Sequence, residues 1–195
     1  MPKRLDNPVT ATFHDALSYA SELHATQARK GTQIPYVAHL LAVASIVMEA
    51  GGSEDEAIAA LLHDAAEDQG GATTLAAIAR RYGDAVAAIV AECSDTFDDP
   101  KPPWESRKRA YIEGLRTASI GALLVSAADK LHNARATLRD VRDHGAGVWR
   151  RFSATREQTL ANYRNLIDAY EGAAYDPRRV PVVRDLRDAV DLLEL

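Results

Sequence analysis

Leu61-Leu62-His63-Asp64-Ala65-Ala66-Glu67-Asp68 gathers one histidine and three carboxylates into a segment that its alanines and leucines mark as helix. On an α-helix His63 and Glu67 lie one turn apart, Asp64 and Asp68 do the same, and the set covers one broad side. Acids crowded beside a single imidazole repel one another and raise each other's pKa values unless a cation sits among them. With a divalent ion, His63 and Asp64 can ligate while Glu67 and Asp68 handle protons. A solvated acidic surface helix is the competing interpretation of this stretch alone, so the flanking chain decides.

Upstream, Ser53-Glu54-Asp55-Glu56 reads as a capping box that starts this helix, and Gly70-Gly71 closes it. Before it, the apolar spacing of Phe13, Leu17, Ala20 and Leu23 predicts a helix over 12–28. A basic, turn-rich loop follows, Arg29-Lys30-Gly31-Thr32-Gln33-Ile34-Pro35, and then a helix over 36–50 that buries Leu40, Val43, Ile46 and Val47. Downstream, helices are expected over 74–82, 84–93, 104–116, 119–142 and 153–171, with a last one opened by Pro181 and reaching 193. Asp95-Thr96-Phe97-Asp98-Asp99-Pro100-Lys101-Pro102-Pro103 carries too many prolines for helix and reads as an exposed excursion over the core. No strand alternation interrupts this pattern. The fold expected is all-α, a single helical bundle of about eight or nine helices. Residues 1–11 would be an N-terminal tail, 12–175 the domain, and 176–195 a C-terminal helix packed on it.

Composition agrees: of 195 residues 47% are hydrophobic and only 6% aromatic, enough for one well-buried helical core. A single cysteine, Cys93, excludes an internal disulfide and a cysteine-based zinc site and fits a reducing compartment, where it reads as a small core residue. Met1-Pro2-Lys3-Arg4-Leu5-Asp6 lacks the apolar core of a signal peptide, and no apolar run reaches membrane-spanning length. A cytoplasmic protein with no membrane partner is expected. The net charge of −5 argues against nucleic acid as partner, since duplex binding relies on a broad basic surface. A small anionic partner such as a nucleotide remains compatible through local bases; oligomeric state is not legible.

Two further ligand candidates lie on other helices. His39 stands near the start of the second, and Asp129 follows an apolar run in Val125-Ser126-Ala127-Ala128-Asp129-Lys130-Leu131-His132-Asn133. A bare aspartate beside a core-facing stretch is costly unless paired or metal-bound. Two histidines and two aspartates make a mixed nitrogen and oxygen site suited to Mn²⁺, Fe²⁺ or Zn²⁺ rather than Ca²⁺ or Mg²⁺.

This order of His, His-Asp and Asp on helices resembles the HD superfamily of metal-dependent phosphohydrolases. The segment His24-x-x-Gln27-x-Arg29-Lys30, then Pro35-Tyr36-x-x-His39, Leu62-His63-Asp64-x-x-Glu67-Asp68 and Asp129-Lys130-Leu131-x-Asn133, resembles the hydrolase domain of RelA/SpoT-type proteins. In size the match is to the stand-alone small alarmone hydrolases of the metazoan SpoT homologue type, without synthetase or regulatory modules. The resemblance spans about residues 12–170. It implies His39, His63, Asp64 and Asp129 as ligands of one Mn²⁺ per site. It also implies Glu67 and Asp68 as the acids that orient or activate the attacking water, and Arg29, Lys30, Asn133 and Tyr163 as substrate-binding residues. The implied reaction removes the 3′-pyrophosphate of (p)ppGpp, giving GDP or GTP and pyrophosphate. Where the family commonly has Asn-His-Pro this chain has Ala38-His39-Leu40, which removes an amide beside the ligand.

The same site could act on (p)ppApp or remove the 2′-phosphate of NADPH, and a catalytically silent HD module that binds nucleotide is a third reading, which the presence of Glu67 and Asp68 disfavours. The remaining polar residues are assigned structural roles: His24 as a packed histidine, His132 as structural or exposed, Arg107-Lys108-Arg109 as a solvated helix face, and Trp104 and Trp149 as packing anchors.

Overall fold

The computed structural model of the chain describes residues 9–97 and 100–195, so most of the expected 1–11 tail and the centre of the Pro/Asp loop lie outside the described residues. Ten α-helices occur among them: α1 (Ala11–Leu23), α2 (Val37–Glu49), α3 (Glu54–Leu62), α4 (Ala65–Asp68), α5 (Gly71–Tyr82), α6 (Asp84–Cys93), α7 (Trp104–Gly114), α8 (Ile120–His144), α9 (Arg156–Gly172) and α10 (Arg179–Glu194), with a 3₁₀ turn over Ala146–Arg151. The only pairing outside helices among the described residues is an isolated antiparallel bridge, Ala28 to Pro35. None of the helices is long and apolar enough to cross a membrane.

Helix α3 is the hub. Its capping box forms as expected, Ser53 Oγ accepting from the Glu56 amide at 3.2 Å and the Glu56 carboxylate accepting from the Ser53 amide at 2.7 Å. From Glu56 to Leu62 every residue is buried, the signature of a helix surrounded on all sides by others. It packs against α1, α2, α6 and α8. The first half of α8, Ala122 to Asp129, is likewise buried throughout. Gly121 permits its close approach to α3 and α6, because a Cβ there would lie 2.9 Å from Ile89 Cδ1 and 3.2 Å from Glu56 Oε1. Helix α10 lies along α8 and α9, and its N-terminal Arg178 grips the Glu56 carboxylate with both terminal nitrogens, at 2.7 and 3.1 Å. Cys93 is a buried free thiol whose Sγ lies 3.7 Å from the Ala122 carbonyl oxygen, as expected of a core residue.

Three departures from the sequence expectation concern the site. The helix expected through 53–69 is broken at His63 and Asp64, so one element becomes α3 and α4. Asp64 adopts φ −94°, ψ −5°, and its carboxylate caps nothing; it is turned to Tyr36 instead. Helix α1 stops at Leu23, five residues before the expected end at 28, and His24 becomes its C-cap. The segment after α6 is no free excursion: the Asp95 amide and Lys101 Nζ both donate to Glu67, at 2.9 and 2.8 Å.

Leu124 is fully buried on α8, whereas Leu41 on the outer side of α2 is 45% exposed. Leu124→Ala is expected to lower the unfolding free energy by about 2–5 kcal/mol. Leu41→Ala should stay within about 0.5 kcal/mol; urea denaturation followed by circular dichroism checks both.

Candidate active site

Packing of α2, α3 and α8 brings the candidate ligands together. His39 comes from the first turn of α2, His63 from the end of α3, Asp64 from the break that follows, and Asp129 from the middle of α8. His63 Nε2 lies 3.0 Å from Asp64 Oδ2 and 3.7 Å from Asp129 Oδ1. His39 Nε2 lies 3.2 Å from Asp129 Oδ1 and 3.6 Å from Asp64 Oδ2. Ligand atoms of His39, His63 and Asp129 fall within 4.8 Å of one another.

Both imidazoles are buried, and the Nε2 atom of each has no hydrogen-bond partner. Buried polar atoms are normally satisfied, so two ring nitrogens that make no well-aligned hydrogen bond yet converge on two carboxylates are a donor set that fits a cation. The outer contacts fix the orientation. His63 Nδ1 donates to the Ala60 carbonyl oxygen at 2.9 Å, which leaves the Nε2 lone pair for the centre. His39 Nδ1 pairs with His132 Nδ1 at 2.7 Å. Burial, then His39 and Arg29, lower the His132 pKa to about 4 and keep it neutral. With Nε2 of His39 turned to the centre as a ligand atom, the proton of His39 lies on Nδ1, so His39 donates and His132 accepts. This contact of His132 was not legible beforehand, because its partner lies 93 residues away in the chain. Tyr36 Oη donates to Asp64 Oδ2 at 2.5 Å, Asn133 Nδ2 donates to Asp129 Oδ1 at 2.5 Å, and Lys130 Nζ donates to Asp129 Oδ2 at 2.6 Å. Such outer partners set ligand orientation and basicity.

The electrostatics follow from this packing. Burial pushes the Asp64 carboxyl up, but the imidazoles of His63 and His39 outweigh it and hold it well below the usual carboxylate range. For Asp129, burial is outweighed by the Lys130 ammonium and the two histidines, with the same result. Burial disfavours a charged His63, yet Asp64 and Asp129 draw positive charge to it strongly enough to raise its pKa well above normal. The centre therefore favours a cation between the carboxylates.

The remaining candidates divide into two groups. Arg29, Lys30, Asn133 and Tyr163 line a cleft of about 770 Å³ that His39, Lys130 and His132 also line. Arg29 Nη2 donates to Asn133 Oδ1 at 2.6 Å, which links the basic loop to Asp129 through one amide. Tyr163 is buried beside Asp129, and burial first, then that charge, push its phenol up to about 12. Glu67 and Asp68 stand apart, on α4. Both Glu67 oxygens are engaged, by Lys101 and the Asp95 amide. Asp68 accepts from Gln27 Nε2 through Oδ2 at 2.8 Å, while Oδ1 has Lys101 Nζ at 3.9 Å. Burial, Asp64 and Glu67 raise its pKa against the opposing effects of Gln27 and Lys101.

One structural assignment changes. Arg107 and Lys108 are not a solvated face: both bind the Asp95 carboxylate, Lys108 at 2.9 Å, and Lys108 also lines the cleft. Trp104 stands at the junction of that cleft and a second groove between α7 and α9.

The HD domain family profile matches residues 16–160. The guanosine-3′,5′-bis(diphosphate) 3′-pyrophosphohydrolase MESH1 of Xenopus tropicalis is 41% identical over 128 residues, covering 64% of this chain and 69% of that protein. MESH1 of Drosophila melanogaster is 32% identical over 166 residues, 84% of this chain and 87% of its own. Among solved structures, a metazoan orthologue of SpoT that hydrolyses ppGpp and plays a role in starvation responses superposes with a TM-score of 0.75 and 29% identity, over 95% of this chain and 96% of that one.

His63→Ala or Asp129→Ala is expected to abolish divalent-metal binding in equilibrium dialysis, and His132→Phe to weaken it by about 10–100-fold. The unfolded chain takes up a proton on His132 near pH 6.5, the metal-free folded protein only near pH 4. The stability due to neutral His132 is therefore full above pH 6.5 and falls as pH drops towards 4. Between pH 7 and 5 that slope is worth about 1 kcal/mol after screening by solvent, and His132→Asn should remove it in urea titrations of the metal-free protein.

Proposed function

The chain belongs to the HD domain family, and on that footing we propose that it is a Mn²⁺-dependent phosphohydrolase that removes the 3′-pyrophosphate of (p)ppGpp, giving GDP or GTP and pyrophosphate. The observation that carries this reading is the pair of buried, unpartnered imidazole nitrogens converging with Asp64 and Asp129 beside a basic cleft of about 770 Å³. A volume of that order suits a nucleotide. The MESH1 relatives, whose printed activity is this one, support it.

His39, His63, Asp64 and Asp129 would hold the ion, and the mixed donor set suits Mn²⁺. Such an ion lowers the pKa of water towards neutrality and offsets charge on a phosphate. The chain's own residues do the rest. Asp68, with its pKa raised and Oδ1 unbound, accepts the proton of the attacking water. Glu67 anchors Lys101 at the edge of the site, where an ammonium can meet the leaving pyrophosphate. Arg29, Lys30 and Lys130 gather the remaining phosphate charge along the cleft, and Asn133 couples Arg29 to Asp129. Tyr163 forms part of the wall that meets the nucleoside.

Purified protein with MnCl₂ is expected to release pyrophosphate from ppGpp, and Asp64→Ala to lose this release. Asp68→Asn should retain Mn²⁺ and lower kcat by about 10²–10⁴-fold, the usual contribution of a positioned base. Parallel reactions with ppApp and NADPH, resolved by ion-exchange chromatography, fix the base and the phosphate removed. Faster turnover of either would reassign the substrate, and no turnover of any of them with Mn²⁺ bound would overturn the enzyme reading.

A further inference from the structure

The chain's first loop reaches the proton-accepting acid through a side-chain bridge. Gln27 Nε2 donates to Asp68 Oδ2 at 2.8 Å, and on its other side Gln27 Oε1 accepts from Gln69 Nε2 at 2.6 Å and meets His24 Nδ1 at 2.7 Å. The carboxylate of Asp68 only accepts, so the amide group of Gln27 must face it and the amide oxygen must face His24. That orientation fixes His24 as the Nδ1–H tautomer. Its Nε2 is then buried without any partner. Packing alone does not account for this, because a buried nitrogen with no partner costs stability that an apolar side chain of similar size would not. The ring is also stacked on Tyr36, centroids 5.1 Å apart at 21°, and Tyr36 Oη is the donor to Asp64. The backbone holds the bridge in place: the Gln27 amide donates to the His24 carbonyl oxygen at 3.0 Å, and the Tyr36 amide donates to that of Gln27 at 2.9 Å.

We propose that Gln27, oriented by His24, is a positioning residue that ties down Oδ2 of Asp68 and so presents Oδ1 in one fixed direction for proton acceptance. The proposal rests on the phosphohydrolase reading above. Without the bridge, Asp68 is a helix-end carboxylate free to change rotamer or to close on Lys101, whose Nζ is 3.9 Å from Oδ1. Gln27 and His24, like Asp68 itself, lie outside the residues lining the cleft that includes Arg29, Lys30, Asn133 and Tyr163, and their contact is to the proton-accepting acid, so the bridge acts on the rate of the step rather than on holding the nucleotide.

Gln27→Met keeps the length of the side chain and removes the donor; His24→Leu removes the group that orients the amide. Each is expected to lower kcat for ppGpp about tenfold or more, with KM and Mn²⁺ affinity within about twofold of wild type, in keeping with the loss of an orienting outer contact. Asn can place Nδ2 where His Nδ1 stands, so His24→Asn is expected to recover most of the rate. Unchanged kcat in Gln27→Met, a loss confined to KM or to metal affinity, or no difference between His24→Asn and His24→Leu would overturn the proposal. A second readout does not depend on turnover: ¹⁵N NMR of the histidine rings should find the proton of His24 on Nδ1 in the wild type and a changed Nδ1 signal in Gln27→Met. A proton on Nε2 instead would refute the bridge even in an active enzyme. A wild type inert towards ppGpp but with the expected tautomer would refute the function and leave the geometry standing.

Discussion

Two imidazole nitrogens and two carboxylates held within a few ångströms of one another, with both rings and Asp129 buried and Asp64 half-buried, form the constraint that the rest of this protein answers to. Among the described residues Lys130 is the one lysine or arginine bound directly to the group, and it pairs with only one of the two carboxylates. Burial of charge is expensive unless it is paired, so the second carboxylate draws positive charge onto His63, a place that a divalent ion ligated by both imidazoles can take. The donors come from α2, α3, the break after it and α8, and so the helix packing that closes the core also builds the centre. Capping of α3 by Ser53, its clamp to Arg178 and the glycine approach at Gly121 are therefore part of the site's geometry as well as of its stability.

Around this centre the polar contacts form an outer layer with one recurring arrangement. Each inward-facing donor carries an outer contact: His63 Nδ1 is held by a backbone carbonyl and His39 Nδ1 by His132, whereas Tyr36 donates to the same Asp64 Oδ2 that faces the imidazoles, and Asp129 takes Asn133 on its centre-facing Oδ1 and Lys130 on Oδ2. The same arrangement reaches the two acids of α4, where Gln27 holds Asp68 and Lys101 holds Glu67. The segment after α6 is drawn in by this second contact and by the grip of Arg107 and Lys108 on Asp95. The cleft is thus walled by elements distant in sequence but tied through the site.

Much of this was legible in the chain and some was not, for identifiable reasons. Helical periodicity, glycine stops and the Ser53–Glu56 capping box placed most elements, because those signals are local. His39, His63, Asp64 and Asp129 could be grouped because charged residues beside apolar helical runs demand partners. The break at His63 and Asp64 could not be foreseen: neither glycine nor proline marks it, both residues stay near helical dihedrals, and the turn is set by where Tyr36 and the histidines draw the carboxylate. The early end of α1 at His24 is likewise set by tertiary contacts, with the loop closing through the Ala28 to Pro35 bridge. His132 and Lys108 read as structural or solvated residues, and Gln27 and Lys101 show no role of their own in the sequence, because their partners lie far along the chain.

The most direct test of the central claim is to watch the metal's own ligands. Electron spin-echo envelope modulation of protein loaded with one equivalent of Mn²⁺ should display ¹⁴N modulation from two imidazoles, reduced to one in His39→Gln or His63→Gln. A spectrum with the modulation of water protons alone, identical in wild type and both variants, would contradict the account.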